Sequence, residues 1–309
     1  MKLIRVLVIV LISSIAMPVV AQDELMDILS EETKGDEPKY VVATFKTTRI
    51  INSQSIETVG DNTLDFRVAH RFGAIGKKSG GDVHNLYGFD ISSDIRIAFE
   101  YGITDRLTVG ASRSKYKENL EGLIKYRALS QRSDNKMPVS ITWFSSITYT
   151  PEKDNGRGIY EETNPLTNRV TKLYERRVNY THQALIGRKF SSAISFQLMP
   201  TFVHRNYVDD PLDENNLFFL GAGGRVKVTP STAVIVDYYY TFSEYRNDSD
   251  LYADPLGIGV EIETGGHVFS LMFTNSGPIV EPEFLTNTIN SWEDGGYRFS
   301  FNISRNFKL

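Results

Sequence analysis

Residues 297–309, YRFSFNISRNFKL, restrict the fold of this chain more than any other stretch. Tyr297, Phe299, Phe301, Ile303, Phe307 and Leu309 fall on one face of an extended strand, Arg298, Ser300, Asn302, Ser304, Asn306 and Lys308 on the other, and only Arg305 breaks the order. A period of two sustained this long is a β-strand with one apolar and one polar face. In a soluble sandwich a second sheet covers the apolar face. In a membrane barrel that face meets lipid and the polar face meets water.

The same alternation recurs upstream. NTLDFRVAHRF sets Leu64, Phe66, Val68 and Phe72 against Asp65, Arg67 and Arg71, and SDIRIAFEY sets Ile95, Ile97, Phe99 and Tyr101 against Asp94, Arg96 and Glu100. RLTVGASRS, EGLIKYRALS, PVSITWFSSITYT, RVNYTHQALIG, AISFQLMPTFVHR, LFFLGAGGRVKV, AVIVDYYYTFS, LGIGVEIET and HVFSLMFTN follow, which with the final strand makes twelve. Polar faces that carry charges of both signs are foreign to a soluble core. The connections alternate in length: residues 73–90, 115–119, 151–175, 207–216, 244–255 and 276–295 on one side, and GITD, QRSDNKM, RKFSS, TPST and TGG on the other. Only 115–119 is short on the long side. Long outer loops alternating with tight inner turns are the pattern of a transmembrane barrel, and an even strand number returns both ends to the inner side. The long connections, such as PEKDNGRGIYEETNPLTNR, are rich in polar and turn-forming residues and are expected to lie in water.

The amino-terminal MKLIRVLVIVLISSIAMPVVAQ has a basic start at Lys2 and Arg5, an apolar run from Val6 to Ile12, and small residues before a cleavage point after Ala21, which together read as a secretory signal peptide. Leu25, Met26, Ile28 and Leu29 in QDELMDILSEETKGDEPK predict a short acidic helix, followed by a broken, polar extended segment near or inside the barrel mouth. The expected organisation is therefore residues 1–21 signal peptide, 22–60 helix, linker and candidate plug, and 61–309 barrel. The absence of Cys rules out disulfides, thiolate zinc sites and lipidation at a cysteine. A formal net charge of -4 offers no basic excess for nucleic acid. No second long apolar run follows, so a membrane form has to be a closed barrel, the one strand architecture that leaves no backbone group unpaired in lipid.

ATFKTTRIINSQSIET, LDFRVAHRFG, YGITDRLTVGASRS, TGGHVFSLMFTNS and the terminal FSFNISRNF resemble an uncharacterised outer-membrane β-barrel family of Bacteroidota, a domain of unknown function; the likeness runs from about Val41 to Leu309. It implies a porin-like or transporter-like antiparallel barrel in the outer membrane and transfers no catalytic residues. The final strand, with Tyr297, Phe299, Phe301, Ile303, Phe307 and Leu309, is also similar to the signal read by barrel-assembly machinery, although the last residue is not aromatic. The implied partners are outer-membrane lipid, that machinery, and a periplasmic or surface protein.

Strand parity points Asp65, Arg67, Arg71, Asp94, Arg96, Glu100, Lys125, Arg127, Arg225, Lys227, Asp237 and Arg298 inward. Such charges either line a pore and set its selectivity or pair across strands and fill a narrow interior. Tyr149, Tyr180, Tyr238, Tyr240 and Tyr297 near strand ends fit an aromatic girdle. His70, His84, His182, His204 and His267 have no metal-binding spacing. A lipid-facing hydrolase needs a Ser, a His and a polar orienter together; His267 and Ser270 have opposite parity, and His204 has no serine two residues away. Gly221, Gly223 and Gly224 precede no helix, so they suit strand curvature or close approach of an inner segment rather than a phosphate loop. Asp209, Asp210, Asp213 and Glu214, or Asp248, Asp250 and Asp254, read as solvated loop acids before calcium ligands. No cofactor, metal or catalytic residue is expected. The expected function is a porin-like channel for small polar solutes, with a nonconducting anchor or scaffold as the alternative and a lipid-facing hydrolase as a weaker one.

Overall fold

A computed structural model describes residues 40–309 apart from Gly156, so the expected signal peptide and acidic helix lie outside the described residues. The strands are β1 Thr63–Phe72, β2 Ser92–Thr104, β3 Leu107–Ser114, β4 Leu120–Leu129, β5 Ser140–Tyr149, β6 Glu161–Thr163, β7 Val170–Lys172, β8 Val178–Lys189, β9 Ile194–Arg205, β10 Asn216–Thr229, β11 Thr232–Phe242, β12 Leu256–Thr264, β13 His267–Thr274 and β14 Arg298–Lys308. All except β6 and β7 form one closed antiparallel barrel of twelve strands, while β6 and β7 make a small hairpin inside an outer loop. The terminal strand closes the ring by pairing with β1, Leu64 opposite Phe307 and Val68 opposite Ile303.

Alternation decides which face is which. Phe99 and Trp143 are 49% and 50% exposed on the outer wall, whereas their inward neighbours Glu100 and Phe144 are 1% and 0% exposed. Phe299, Phe301 and Ile303 point outward on β14, and Ser300, Asn302 and Ser304 are buried inside. Arg305 interrupts the apolar face by laying its guanidinium on the Phe307 ring, 4.9 Å from the centroid.

Two segments fill the interior. From the tight-turn end, where Val41 N–H donates to Gln131 C=O, the chain runs inward and forms a hairpin closed by Ile50 N–H to Ser53 C=O and Ser55 N–H to Thr48 C=O. It leaves at the same end, where Thr58 Oγ1 donates to Asp105 C=O. Ile50, Ile51 and Ile56 on this hairpin are fully buried. Their seats are glycines: a Cβ at Gly223 would lie 2.5 Å from Ile50 Cδ1, one at Gly257 2.7 Å from Ile51 Cγ2, and one at Gly187 2.9 Å from Ile56 Cγ2. Close approach, one of the two roles expected for the β10 glycines, is thus what Gly223 provides, and Gly221 makes room in the same way for the Tyr239 ring.

The second segment corrects an expectation. The β13–β14 connection does not lie in water over its whole length: Ile279, Val280, Phe284 and Leu285 are buried, and the short helix α2, Glu281–Thr286, is buried at every residue. The PIVEPEFL stretch carries Ile279, Val280, Phe284 and Leu285, and it takes their apolar surface out of water by turning inward. Phe284 meets the Tyr239 ring edge-on at 5.6 Å.

Replacing Gly223 with Leu therefore puts new atoms where Ile50 sits, an overpacking that costs about 1–3 kcal/mol. We expect the barrel to keep its folded gel mobility while tryptic cleavage at Arg49, 2% exposed in the native protein, becomes fast. Continued protection of Arg49 would show that the hairpin does not depend on this socket.

Candidate functional site: the closed lumen

The inward charges do not face an empty passage; most of them hold the two segments that occupy it. Asp237 on β11 grips the hairpin tip. Its Oδ2 accepts from the backbone N–H groups of Ile51, Asn52 and Ser53 at 3.3, 2.8 and 2.8 Å and from Ser53 Oγ at 2.8 Å. Successive N–H groups around a turn form an anion-binding nest, and a carboxylate fills this one. Gln197 of β9 completes the edge pairing of the hairpin: Ile56 N–H donates to its Oε1 at 2.6 Å and its Nε2 donates to Gln54 C=O at 2.8 Å.

Cations hold the opposite side. Arg67 Nη2 donates to Thr48 Oγ1 at 2.9 Å, and Lys125 Nζ to the carbonyls of Thr48 and Glu57 at 3.0 and 2.8 Å. Arg71 Nη2 donates to Ile51 C=O at 3.2 Å, and its Nη1 to Asn302 Oδ1 at 2.9 Å. Arg127 pairs with Glu57 at 2.7 Å. Asp94 serves the outer segment, accepting from Ser114 Oγ at 2.7 Å, Tyr116 N–H at 2.9 Å and Ile279 N–H at 3.0 Å. Arg298 donates to Ser93 Oγ at 2.7 Å and approaches Asn275 C=O. Asp65 lies 3.4 Å from Arg67 on the same strand, Arg96 pairs with Glu121 at 2.6 Å, and Arg225 with Glu261 at 2.8 Å. Glu100 is buried in the fields of Arg67, Lys125 and Arg96, and Lys227 is half-buried on β10.

The two segments meet at Glu281. Arg49 Nη2 of the hairpin lies 2.8 Å from Glu281 Oε1 of α2, with side-chain exposures of 1% and 0%. Gln54 Nε2 donates to the same oxygen at 2.7 Å. Glu121 and Gln197 share the inward faces of β4 and β9 with Lys125 and Ser195, whereas Arg49, Gln54 and Glu281 lie off the barrel strands, where strand parity gives no reading. The two mixed polar and apolar stretches that carry Arg49 and Glu281, RIINSQSI and PIVEPEFL, are their only trace in the sequence.

At the outer mouth, Asp213 binds Arg205 at 2.8 Å and Arg246 at 2.7 Å, and Arg246 Nη1 donates to Thr286 C=O at 2.8 Å, tying the loop of the short helix α1, Glu244–Asn247, to the end of α2. Burial by itself would raise the Asp213 carboxyl, but the two guanidiniums outweigh it and hold it below its ordinary value. Asp210 accepts from Tyr245 Oη, and Asp254 from Tyr238 Oη and Thr241. Among the described residues no group of His, Cys, Asp and Glu has the arrangement of a metal site.

On the lipid side the register brings together a pair that spacing did not reveal. Ser145 of β5 faces His182 of β8, Oγ to Nδ1 at 2.9 Å, and Trp143 Nε1 donates to the same Oγ at 2.8 Å. The imidazole is flanked by the rings of Trp143 and Phe202, at 6.2 and 6.4 Å.

A closed barrel with an apolar outer wall and a charged inner wall is a membrane-spanning β-barrel. The chain belongs to the family described as membrane bound beta barrel domain (DUF5777), which it matches over residues 45–307. No curated protein matches it. Among solved structures it is similar to a NanC porin, with 9% identity, 80% of this chain and 100% of that one covered, and a TM-score of 0.47. The KdgM porin shares 8% identity over 79% of this chain and 99% of that one, TM-score 0.45. Acinetobacter baumannii outer membrane protein Omp33 shares 8% over 83% and 100%, TM-score 0.40.

Removing one partner of a buried ion pair strands the other charge at a cost of roughly 3–5 kcal/mol, whereas replacing both with apolar groups is often near neutral. Arg49→Met should therefore lower the thermal unfolding midpoint of the folded barrel in detergent by more than Arg49→Met with Glu281→Leu. A double variant no more stable than the single one would remove this pair from the account of closure.

The Asp213 clamp gives a pH dependence. Because its folded-state pKa is below the ordinary 3.8, its stabilisation is fully present above that value and is lost as pH falls through the depressed one. Pepsin cleavage within residues 206–215 should be absent at about pH 5 and appear only below 3.8. Cleavage already rapid at the higher pH would break the clamp assignment.

Proposed function

We propose that this protein is an outer-membrane, porin-like channel for small polar solutes whose resting state is closed by its own amino-terminal hairpin. The observation that carries the reading is the way the hairpin is held. Its described residues enter and leave at the tight-turn end, and hydrogen bonds to backbone and side-chain groups, which water can replace, tie it to the wall. A segment seated in this way can be withdrawn without breaking the sheet. The released charges, Asp65, Arg67, Lys125 and Asp237 among them, would then line the passage and set its ion preference. A periplasmic partner acting on residues 22–39 would supply the withdrawal. Barrel-assembly machinery reading Tyr297, Phe299, Phe301, Ile303, Phe307 and Leu309 would place the protein in the membrane after cleavage behind Ala21.

A second reading is favoured by the Arg49–Glu281 contact, which joins the segments entering from opposite ends. A barrel filled from both sides also serves as a nonconducting anchor or scaffold for a surface or periplasmic protein. No catalytic role is assigned to Ser145 and His182: hydrogen bonding within the pair and to Trp143 gives these polar groups partners on a lipid-facing wall.

Single-channel currents in planar bilayers separate the readings, comparing the mature chain with one lacking residues 22–60. Silence from the mature chain and steady steps from the shortened one are expected, with an ion preference that changes in Arg67→Ala with Arg96→Ala. Silence from both, with the shortened barrel shown to be folded, would replace the channel with the scaffold.

A further inference from the structure

The outer wall carries a groove of about 580 Å³ on β2 and β3. Phe99 and Ala111, two of its lining residues, belong to one cross-strand row. Phe99 pairs with Ala111, Ala111 with Gly122 and Gly122 with Ile147, so two residues without bulk sit between two large ones. A Cβ at Gly122, next to Ala111 in this row, would meet only Ile147 Cγ2, at 3.6 Å, so the wall stays low on that side of Ala111. Ile97 and Phe99, 45% and 49% exposed, line the groove beside Ala111. One row nearer the outer rim, Ile97 pairs with Arg113 and Arg113 with Leu120.

The outer end of the groove is basic. β3 rises from the tight turn at Asp105 to the outer connection at 115–119, which places Arg113 and Lys115 at the rim with their side chains exposed. Lys115 N–H donates to Ile95 C=O at 2.9 Å, fixing the lysine beside the groove wall. Arg113 uses Nη1 on Ser114 C=O and Lys115 uses Nζ on Ser92 C=O, which leaves further donors on both. Glu118 also borders this end, so the rim carries one net positive charge.

We propose that this groove is a binding site for an anionic, phosphate-bearing membrane lipid, with the headgroup on Arg113 and Lys115 and one acyl chain over Ile97, Phe99 and Ala111. Charge complementarity selects the occupant. A neutral lipid would find the same apolar floor, yet only an anionic headgroup uses both cations, and guanidinium and ammonium groups together suit phosphate oxygens. The groove runs from the rim into the apolar wall, matching a ligand with a charged head and a long apolar tail.

The test is native mass spectrometry of the full mature chain extracted from vesicles of equal phosphatidylglycerol and phosphatidylcholine with identical acyl chains. The rim's one net positive charge should favour retention of phosphatidylglycerol by about fivefold. Arg113→Gln with Lys115→Gln should reduce that preference to near parity, and Ala111→Leu should reduce adducts of both lipids by filling the floor. Heat-dependent gel mobility verifies that each variant is folded. Equal retention of both lipids by the native chain, an unchanged preference in the Arg113 and Lys115 variant, or undiminished adducts in folded Ala111→Leu would each overturn the assignment.

Discussion

Lipid offers no hydrogen-bond partner to a peptide group, and everything else in this structure follows from that constraint. An open sheet in the bilayer would leave two edges of unpaired N–H and C=O groups, so the final strand has to find the first. Once β1 and β14 pair, the period-two pattern assigns every side chain to lipid or to the interior. The outer wall can then be apolar without a second protein layer. The inner wall inherits the charged residues, and the remaining problem is what satisfies them.

The protein answers that problem with its own chain. Burying a carboxylate such as Asp237 or an ammonium such as Lys125 is costly unless it is fully hydrogen-bonded. The hairpin brings what each one needs: a turn of N–H groups for the anion and carbonyl oxygens for the cation. The same segment inserts Ile50, Ile51 and Ile56 into spaces that glycines keep open in three strands. Polar pairing fixes where the hairpin sits, and glycine sockets fix how deep. Closure of the lumen and burial of the inner charges are therefore one event.

The outer segment adds a second lock of a different kind. Its residues meet the hairpin through Arg49 and Glu281 and are tied to the outer mouth through Asp213, Arg246 and Thr286. A chain of charged contacts thus links the outer loops to the hairpin across the lumen. Movement at either end changes the environment of a buried ion pair, the contact least tolerant of losing one partner.

By itself the sequence determined the class of fold, the twelve barrel strands, their alternation of long and short connections and the inward parity of Asp65, Arg67, Asp94, Arg96, Lys125 and Asp237. These properties are local, because a strand announces its two faces within a few residues and a turn within four. The tertiary structure decided what those charges touch. That Asp237 binds Ile51, Asn52 and Ser53, that Arg96 faces Glu121, that Ser145 meets His182, and that Glu281 reaches Arg49 all depend on register and on segments far apart in the chain. The inward turn of the β13–β14 connection depends on space inside a closed ring, and no stretch of residues carries that information alone, because the cavity exists only after distant strands have met.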